Sequence, residues 1–172
     1  MNYKELPLEN ITKVIEPIVA MQTTQWFLAT AEKDGVAATL TCAWGALGNV
    51  WKKKTMTIYI RPQRNTLSYI EESGRFTATF FDGHLKEMGY LGTVSAKEVP
   101  DKIQKSGLHL AHIGKDPTFE EGKYVLVCRV LYRKQLDKDC FLDKEVAEKA
   151  YPIDDYSIEF VGEIERAYEI IL

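Results

Sequence analysis

The spacing of apolar residues changes along this chain, and the changes mark its elements. Ile11, Val14, Ile15 and Ile18 recur at i, i+3, i+4 and i+7, the period of a helix face. Asn10 stands where an N-cap would, and Pro17 limits the helix because it lacks an amide proton and clashes with the preceding turn. From residue 25 the period becomes two. Runs 25–32 and 36–44 flank Lys33-Asp34-Gly35, and Asp-Gly between two such runs signals a hairpin. Residues 55–61 alternate Met56, Ile58 and Ile60 with Thr57, Tyr59 and Arg61. Residues 75–81 alternate Phe76, Ala78 and Phe80 with Thr77, Thr79 and Phe81. Two longer runs, 123–133 and 157–171, complete at least six predicted strands. Short helical pieces lie between them, over 65–73 (ended by Gly74), 84–91, 100–106 (ended by Gly107) and 143–149. Many strands with short helices on the connections predict an antiparallel barrel or sandwich. Long helices alternating with strands are absent, which argues against a parallel α/β sheet.

Composition narrows the classes. A chain of 172 residues, 45% hydrophobic and 27% charged, fits one domain over residues 1–172 with a real core. A net charge of −3 disfavours nucleic acid as a partner. No apolar run approaches the roughly 20 residues that cross a bilayer, and residues 1–16 lack the regions of a signal peptide. Cys42, Cys128 and Cys140 form no CxxC pair, so no disulfide framework and a cytoplasmic location are expected. Neither GxGxxG nor GxxxxGK[ST] occurs, which excludes the usual dinucleotide and P-loop cradles.

Three stretches could carry chemistry. In "ATLTCAWG", residues 38–45, strand register puts Val36, Ala38, Leu40, Cys42 and Trp44 on one face and Ala37, Thr39, Thr41 and Ala43 on the other. The second face has almost no bulk. A flat ligand could lie against it and bond to the backbone, or a helix could pack tightly on it; the residues alone admit both. In "IRPQRNT", residues 60–66, Arg61 precedes a proline turn, and Asn65 or Thr66 can cap the following helix. That helix start is either an anion site or an ordinary capped helix with surface arginines. In "GTVSAKEVPDKIQKSGL", residues 92–108, Ser95, Lys97 and Lys102 offer a hydroxyl and cations to a phosphate, or form a solvated loop.

These stretches, with "FLDKEVAEKAYPIDDY" after them, occur in an order that resembles the flavin reductase-like, or flavoredoxin-like, family over about residues 27–165. The resemblance implies a mainly β fold, the FMN-binding split barrel (antiparallel, Greek-key type), in a homodimer with non-covalent FMN near the interface. It implies that the strand of Thr39, Leu40, Thr41, Cys42, Ala43 and Trp44 meets the flavin ring through its backbone, with Trp44 at the edge. Arg61, Asn65 and Thr66 match the turn that reaches the phosphate or ribityl chain, and Ser95 and Lys102 match the loop that supplies a hydroxyl and a cation. The implied activity is NAD(P)H-dependent flavin reduction, with electrons passed to a small-molecule or protein acceptor. The alternatives are a flavoredoxin-like carrier fed by a protein donor, or a non-enzymatic FMN-binding module. No catalytic acid or base is assigned. The chain departs from the family at Ala38, where many members carry Asn. It has Ser95-Ala96-Lys97-Glu98 for a Ser-Gly-Arg/Lys-Asp loop, and Ser157 where a His is usual.

Other candidates are weaker. His109 and His112 are three apart but no sequence neighbour completes a metal site. Asp137, Asp139, Asp143 and Glu148 echo a calcium loop whose fifth and sixth positions are Phe141 and Leu142, so no metal is expected. Lys52, Lys53 and Lys54 read as a solvated turn, and Cys42 as a packing residue.

Overall fold

The computed structural model describes residues 1–15 and 25–171. Along the chain lie β1 (Asn2–Leu6), a 3-10 helix (Leu8–Val14), β2 (Phe27–Lys33), β3 (Val36–Cys42), β4 (Gly45–Val50) and β5 (Lys53–Ile60). Then come α1 (Thr66–Ser73), β6 (Arg75–Phe81), α2 (Leu85–Thr93), α3 (Lys102–Ser106), β7 (Leu110–Ile113) and β8 (Asp116–Phe119). The chain continues with β9 (Gly122–Gln135), a 3-10 turn (Lys138–Cys140), α4 (Lys144–Ala150) and β10 (Ile158–Ile171).

The main sheet runs β3-β2-β6-β9-β10-β5-β4, all antiparallel, with β1 added to β10. The first half of β10 pairs with β5 and its last residues pair with β1, while β9 follows it along most of its length. β3 and β4 follow one another in sequence but end the hydrogen-bonded path at opposite sides. The curled sheet is therefore split between them, and among the described residues β3 keeps one backbone edge without a strand partner.

Period two explains the inside of the barrel. Met56, Ile58 and Ile60 are fully buried, with Phe27, Phe76, Phe80, Leu126, Ile158 and Phe160 beside them. Each such side chain contributes about 1.5–3 kcal/mol when fully buried. The opposite face of β6 is buried too. Thr77 donates to the Pro117 carbonyl (2.6 Å), Thr79 shares a hydrogen bond with Thr118 (2.9 Å), and Phe81 packs with Leu28, Met88, Leu91, Leu108 and Phe119. The segment from α2 to β8 thus forms an outer layer over β3, β2 and β6.

Several local expectations are refined. The hairpin at Asp34-Gly35 forms with φ of 51° and 76°, the paired left-handed residues of a type I′ turn. Over Leu8–Val14 the first helix is 3-10, and it starts before Asn10, whose N–H donates to the Pro7 carbonyl (2.8 Å). With three residues per turn, Leu8, Ile11 and Val14 share the core-facing side and Ile15 is turned outward. Pro17 and Ile18 lie outside the described residues. The expected strand 36–44 ends at Cys42, because the chain bends at Ala43-Trp44 to start β4. β1, β4, β7 and β8 had no readable alternation: β1 is mostly charged and exposed, and β4 is small and glycine-containing. Asp137 and Asp143 are caps: Asp137 accepts from the Asp139 N–H, and Asp143 from those of Glu145 and Val146. Among the described residues no helix is long and apolar enough to cross a membrane.

Candidate functional site

The free edge of β3 faces the turn from β5 into α1 and the loop from α2 to α3. Together they line a cleft of about 290 Å³, bounded by Thr39, Leu40, Asn65, Thr66, Ser95 and Lys102, with Gln63, Arg64, Ala96 and Lys97. Seven of the residues singled out in the sequence, Lys97 among them, therefore meet at one place, from three separate stretches. A smaller recess of about 150 Å³ continues along β3, past Ala37 and Ala38 toward Pro100 and Ile103.

Local chemistry positions each wall. Pro62 turns the chain after β5, and Arg64 N–H donates to the Arg61 carbonyl (3.1 Å). The start of α1 carries no side-chain cap: Asn65 is itself helical in backbone, and its side chain makes no capping bond. The capping role expected of Asn65 or Thr66 is therefore not filled, and N–H groups of the first turn lack a side-chain acceptor. On the opposite wall the Ser95 carbonyl accepts from the N–H groups of Glu98 (3.1 Å) and Val99 (2.9 Å). Ser95 Oγ accepts from Lys97 N–H (3.2 Å), which leaves the hydroxyl proton free to donate.

Lys102 is buried at 7% exposure and has two tasks. Its Nζ donates to the carbonyls of Leu91 (2.9 Å) and Val94 (3.1 Å), which closes the C-terminal end of α2. Burial, and then the nearby Arg64 guanidinium, push its pKa down to about 8. Arg64 Nη1 donates to the Gly92 carbonyl (2.8 Å), so this arginine ties α1 to α2 while lining the cleft. Arg64 was not singled out in the sequence. The turn that follows Arg61 carries two arginines, and spacing does not reveal which one faces the cleft.

Arg61 does not line the cleft. Its Nη1 pairs with Asp155 and its Nη2 donates to the Ala150 carbonyl (2.7 Å). Its guanidinium carbon sits 5.2 Å from the Tyr151 ring centre and 6.0 Å from that of Trp44. Trp44 packs edge-on against Tyr151 (5.8 Å), in an aromatic cluster with Phe141 and Tyr156 on the excursion between β9 and β10. Trp44 and Arg61 thus belong together, at a second cluster beside the cleft.

The small face of β3 divides in two. At Thr41 it is covered by α2: the hydroxyl donates to the Met88 carbonyl (2.5 Å), and Gly92 lies close enough that a Cβ there would meet Thr41 at 3.1 Å. At Thr39 the strand reaches the cleft, with the Thr39 hydroxyl shared between Thr30 Oγ1 (2.9 Å) and the Ala29 carbonyl (3.2 Å). Leu40 and Cys42 point into the core, and burial pushes the Cys42 thiol up to about 12, which leaves it protonated and inert. Ala43 is half-buried in the bend before Trp44.

His109 and His112 are engaged separately, with Glu121 and Glu32 at 2.6 Å each. Of the lysine run, Lys52 sits in the β4–β5 turn, while Lys53 is in β5 and pairs with Glu163 (2.6 Å). Among the described residues no three potential metal ligands cluster.

No protein-family model matches the chain. An uncharacterized protein of Aeropyrum pernix is 26% identical over 162 residues, covering 89% of this chain and 56% of that relative, so the chain spans little more than half of it. Among solved structures, an FMN-binding domain of a flavin reductase-like enzyme from Shewanella baltica OS155 superposes with a TM-score of 0.69 at 16% identity. The match covers 98% of this chain and 78% of that one. A flavoredoxin from Methanosarcina acetivorans superposes with a TM-score of 0.65 at 22% identity, covering 85% and 68%. The fold is thus the split barrel seen in flavin reductase-like and flavoredoxin structures, the mainly β, antiparallel architecture expected from the sequence.

Proposed function

We propose that this chain binds FMN non-covalently and works as an NAD(P)H-dependent flavin reductase. The observation that carries the reading is the meeting of Thr39, Asn65, Thr66, Ser95 and Lys102 with Arg64 and Lys97 in one cleft beside the free edge of β3. Its donor set suits the phosphate end of FMN. Arg64, Lys97 and Lys102 supply cations, Ser95 and Thr66 hydroxyls, and the uncapped start of α1 oriented amides. The open edge of β3 offers backbone donors and acceptors to a flat ring, and Trp44 would border it.

FMN bound there would supply the hydride-accepting chemistry. The chain's part is to hold and orient it. Lys102 is fixed by two carbonyls, so its remaining capacity points without the entropy cost of ordering a loose lysine. Ser95 is held by the turn that follows it. With no dinucleotide-binding loop, the nicotinamide donor would approach the exposed side of the ring in an open cleft. The reading includes a homodimer with the cofactor near its interface and a small-molecule or protein acceptor.

Purified protein mixed with FMN should quench flavin fluorescence with a saturable curve, and NADH or NADPH should bleach the complex without oxygen. No quenching would overturn the flavin reading. Quenching without bleaching by either nucleotide would overturn the reductase and leave an FMN carrier fed by a protein donor. Light scattering on a sizing column reports the dimer.

A further inference from the structure

Asp155 lies on the excursion between β9 and β10, outside the cleft, yet it is bonded to the cleft's turn. A single carboxylate oxygen, Oδ2, receives both Arg61 Nη1 and Gln63 Nε2, the latter at 2.9 Å. Gln63 lines the cleft together with Arg64, Asn65 and Thr66, the residues that follow it. Arg61 reaches past Asp155 to the Ala150 carbonyl (2.7 Å) at the end of α4, and Tyr151 and Trp44 lie against its guanidinium. The first and third residues of the turn are therefore tied to one acidic side chain from a distant part of the sequence. That side chain is 12% exposed, and its other oxygen, Oδ1, is buried with no hydrogen-bond partner. Arg61 and Gln63 together hold Asp155 below the usual carboxylate range, Gln63 first.

We infer that Asp155 is a positioning residue for the anion end of the cleft: it sets the turn of residues 61–66 so that Arg64, Asn65 and Thr66 face the phosphate of a bound flavin. The inference rests on the flavin reading and adds a specificity to it. Asp155 does not line the cleft. Its removal should therefore weaken only the interactions made by the turn, and these reach the phosphate rather than the ring. It also implies that the α4 excursion and the cleft are coupled, because Ala150 and Asp155 hold the same arginine.

The test measures FMN and riboflavin affinities side by side for the parent, Asp155→Asn, Asp155→Ala and Gln63→Ala, with urea unfolding of each. Riboflavin has the same ring and no phosphate. Asp155→Ala should lose on the order of tenfold in FMN affinity, as expected for a charged hydrogen-bond partner removed, with riboflavin affinity unchanged. Asp155→Asn keeps the shape and one acceptor and should lose less. The Asp155→Ala/Gln63→Ala double variant should lose less than the sum of the single ones, because both act through one contact. If FMN and riboflavin fall together, or neither falls, Asp155 has no positioning role. If Asp155→Ala does not fold, Asp155→Asn and Gln63→Ala decide by the same ratio. A parent that binds riboflavin and FMN equally overturns this inference while leaving a flavin site. A parent that binds neither overturns the flavin reading and this inference with it.

Discussion

Gly92 on α2 lies directly against Thr41 on β3: a Cβ at Gly92 would meet the Thr41 Cβ at 3.1 Å and its Oγ1 at 3.3 Å. The Thr41 hydroxyl also donates to the Met88 carbonyl one turn earlier in α2 (2.5 Å). The small residues of β3 at this point serve helix packing. Gly92→Val should therefore lower stability by about 1–3 kcal/mol through overpacking, and Thr41→Val by about 1 kcal/mol through the lost hydrogen bond. Urea unfolding measures both.

Gly45 opens β4 where the sheet splits. A Cβ there would come 2.9 Å from the Thr57 carbonyl oxygen and 3.1 Å from the end of Met56. The Met56 tip can move, but the backbone oxygen cannot. Gly45→Ala should cost about 1–3 kcal/mol. Gly35→Ala makes a useful contrast: its Cβ would meet nothing within 4 Å, so it should lose only what its left-handed φ of 76° imposes, about 1–2 kcal/mol.

The β4–β5 hairpin turns on Trp51 and Lys52, both left-handed at φ of 53° and 59°. A type I′ turn of this kind is usually built from Asn and Gly. Among the described residues Lys52 makes no hydrogen bond or ion pair that would offset the strain. Lys52→Gly should raise stability by about 1 kcal/mol, visible as a higher thermal midpoint.

Lys102 gives a pH signature with a definite sign. Its value in the folded chain, about 8, lies below the ordinary 10.5. Between those values the unfolded chain holds more protons, so this residue's contribution makes stability rise as pH climbs through the window. Ligand binding should show the opposite trend, since a neutral Lys102 no longer attracts a phosphate above about pH 8. Unfolding curves and FMN titrations at several pH values, for the parent and for Lys102→Met, check both trends. The variant should lose both dependences, together with stability from the Leu91 and Val94 carbonyls left without a donor.

The chain's own pattern determined the strands whose inner face alternates cleanly. Residues 75–81 form β6 with the bounds that alternation predicts, because successive strand side chains point to opposite faces, Phe76, Ala78 and Phe80 into the barrel core and Thr77 and Thr79 under the outer layer. The Asp34-Gly35 turn was equally legible, since few residue pairs accept left-handed φ at both positions. The order of the three stretches along the chain carried the resemblance, and residues from each of them line one cleft. Tertiary structure decided which side chain does what. Thr39 and Thr41 are two residues apart on one small face, yet one lines the cleft and the other is capped by α2. Arg61 and Arg64 share one turn, yet Arg61 is taken by Asp155 and Ala150, ninety residues away, and Arg64 faces the cleft. Periodicity records that a position must be small, buried or charged. What fills the space beside it, ligand, helix or distant carboxylate, is fixed only when the chain closes on itself and those groups compete for the same contacts.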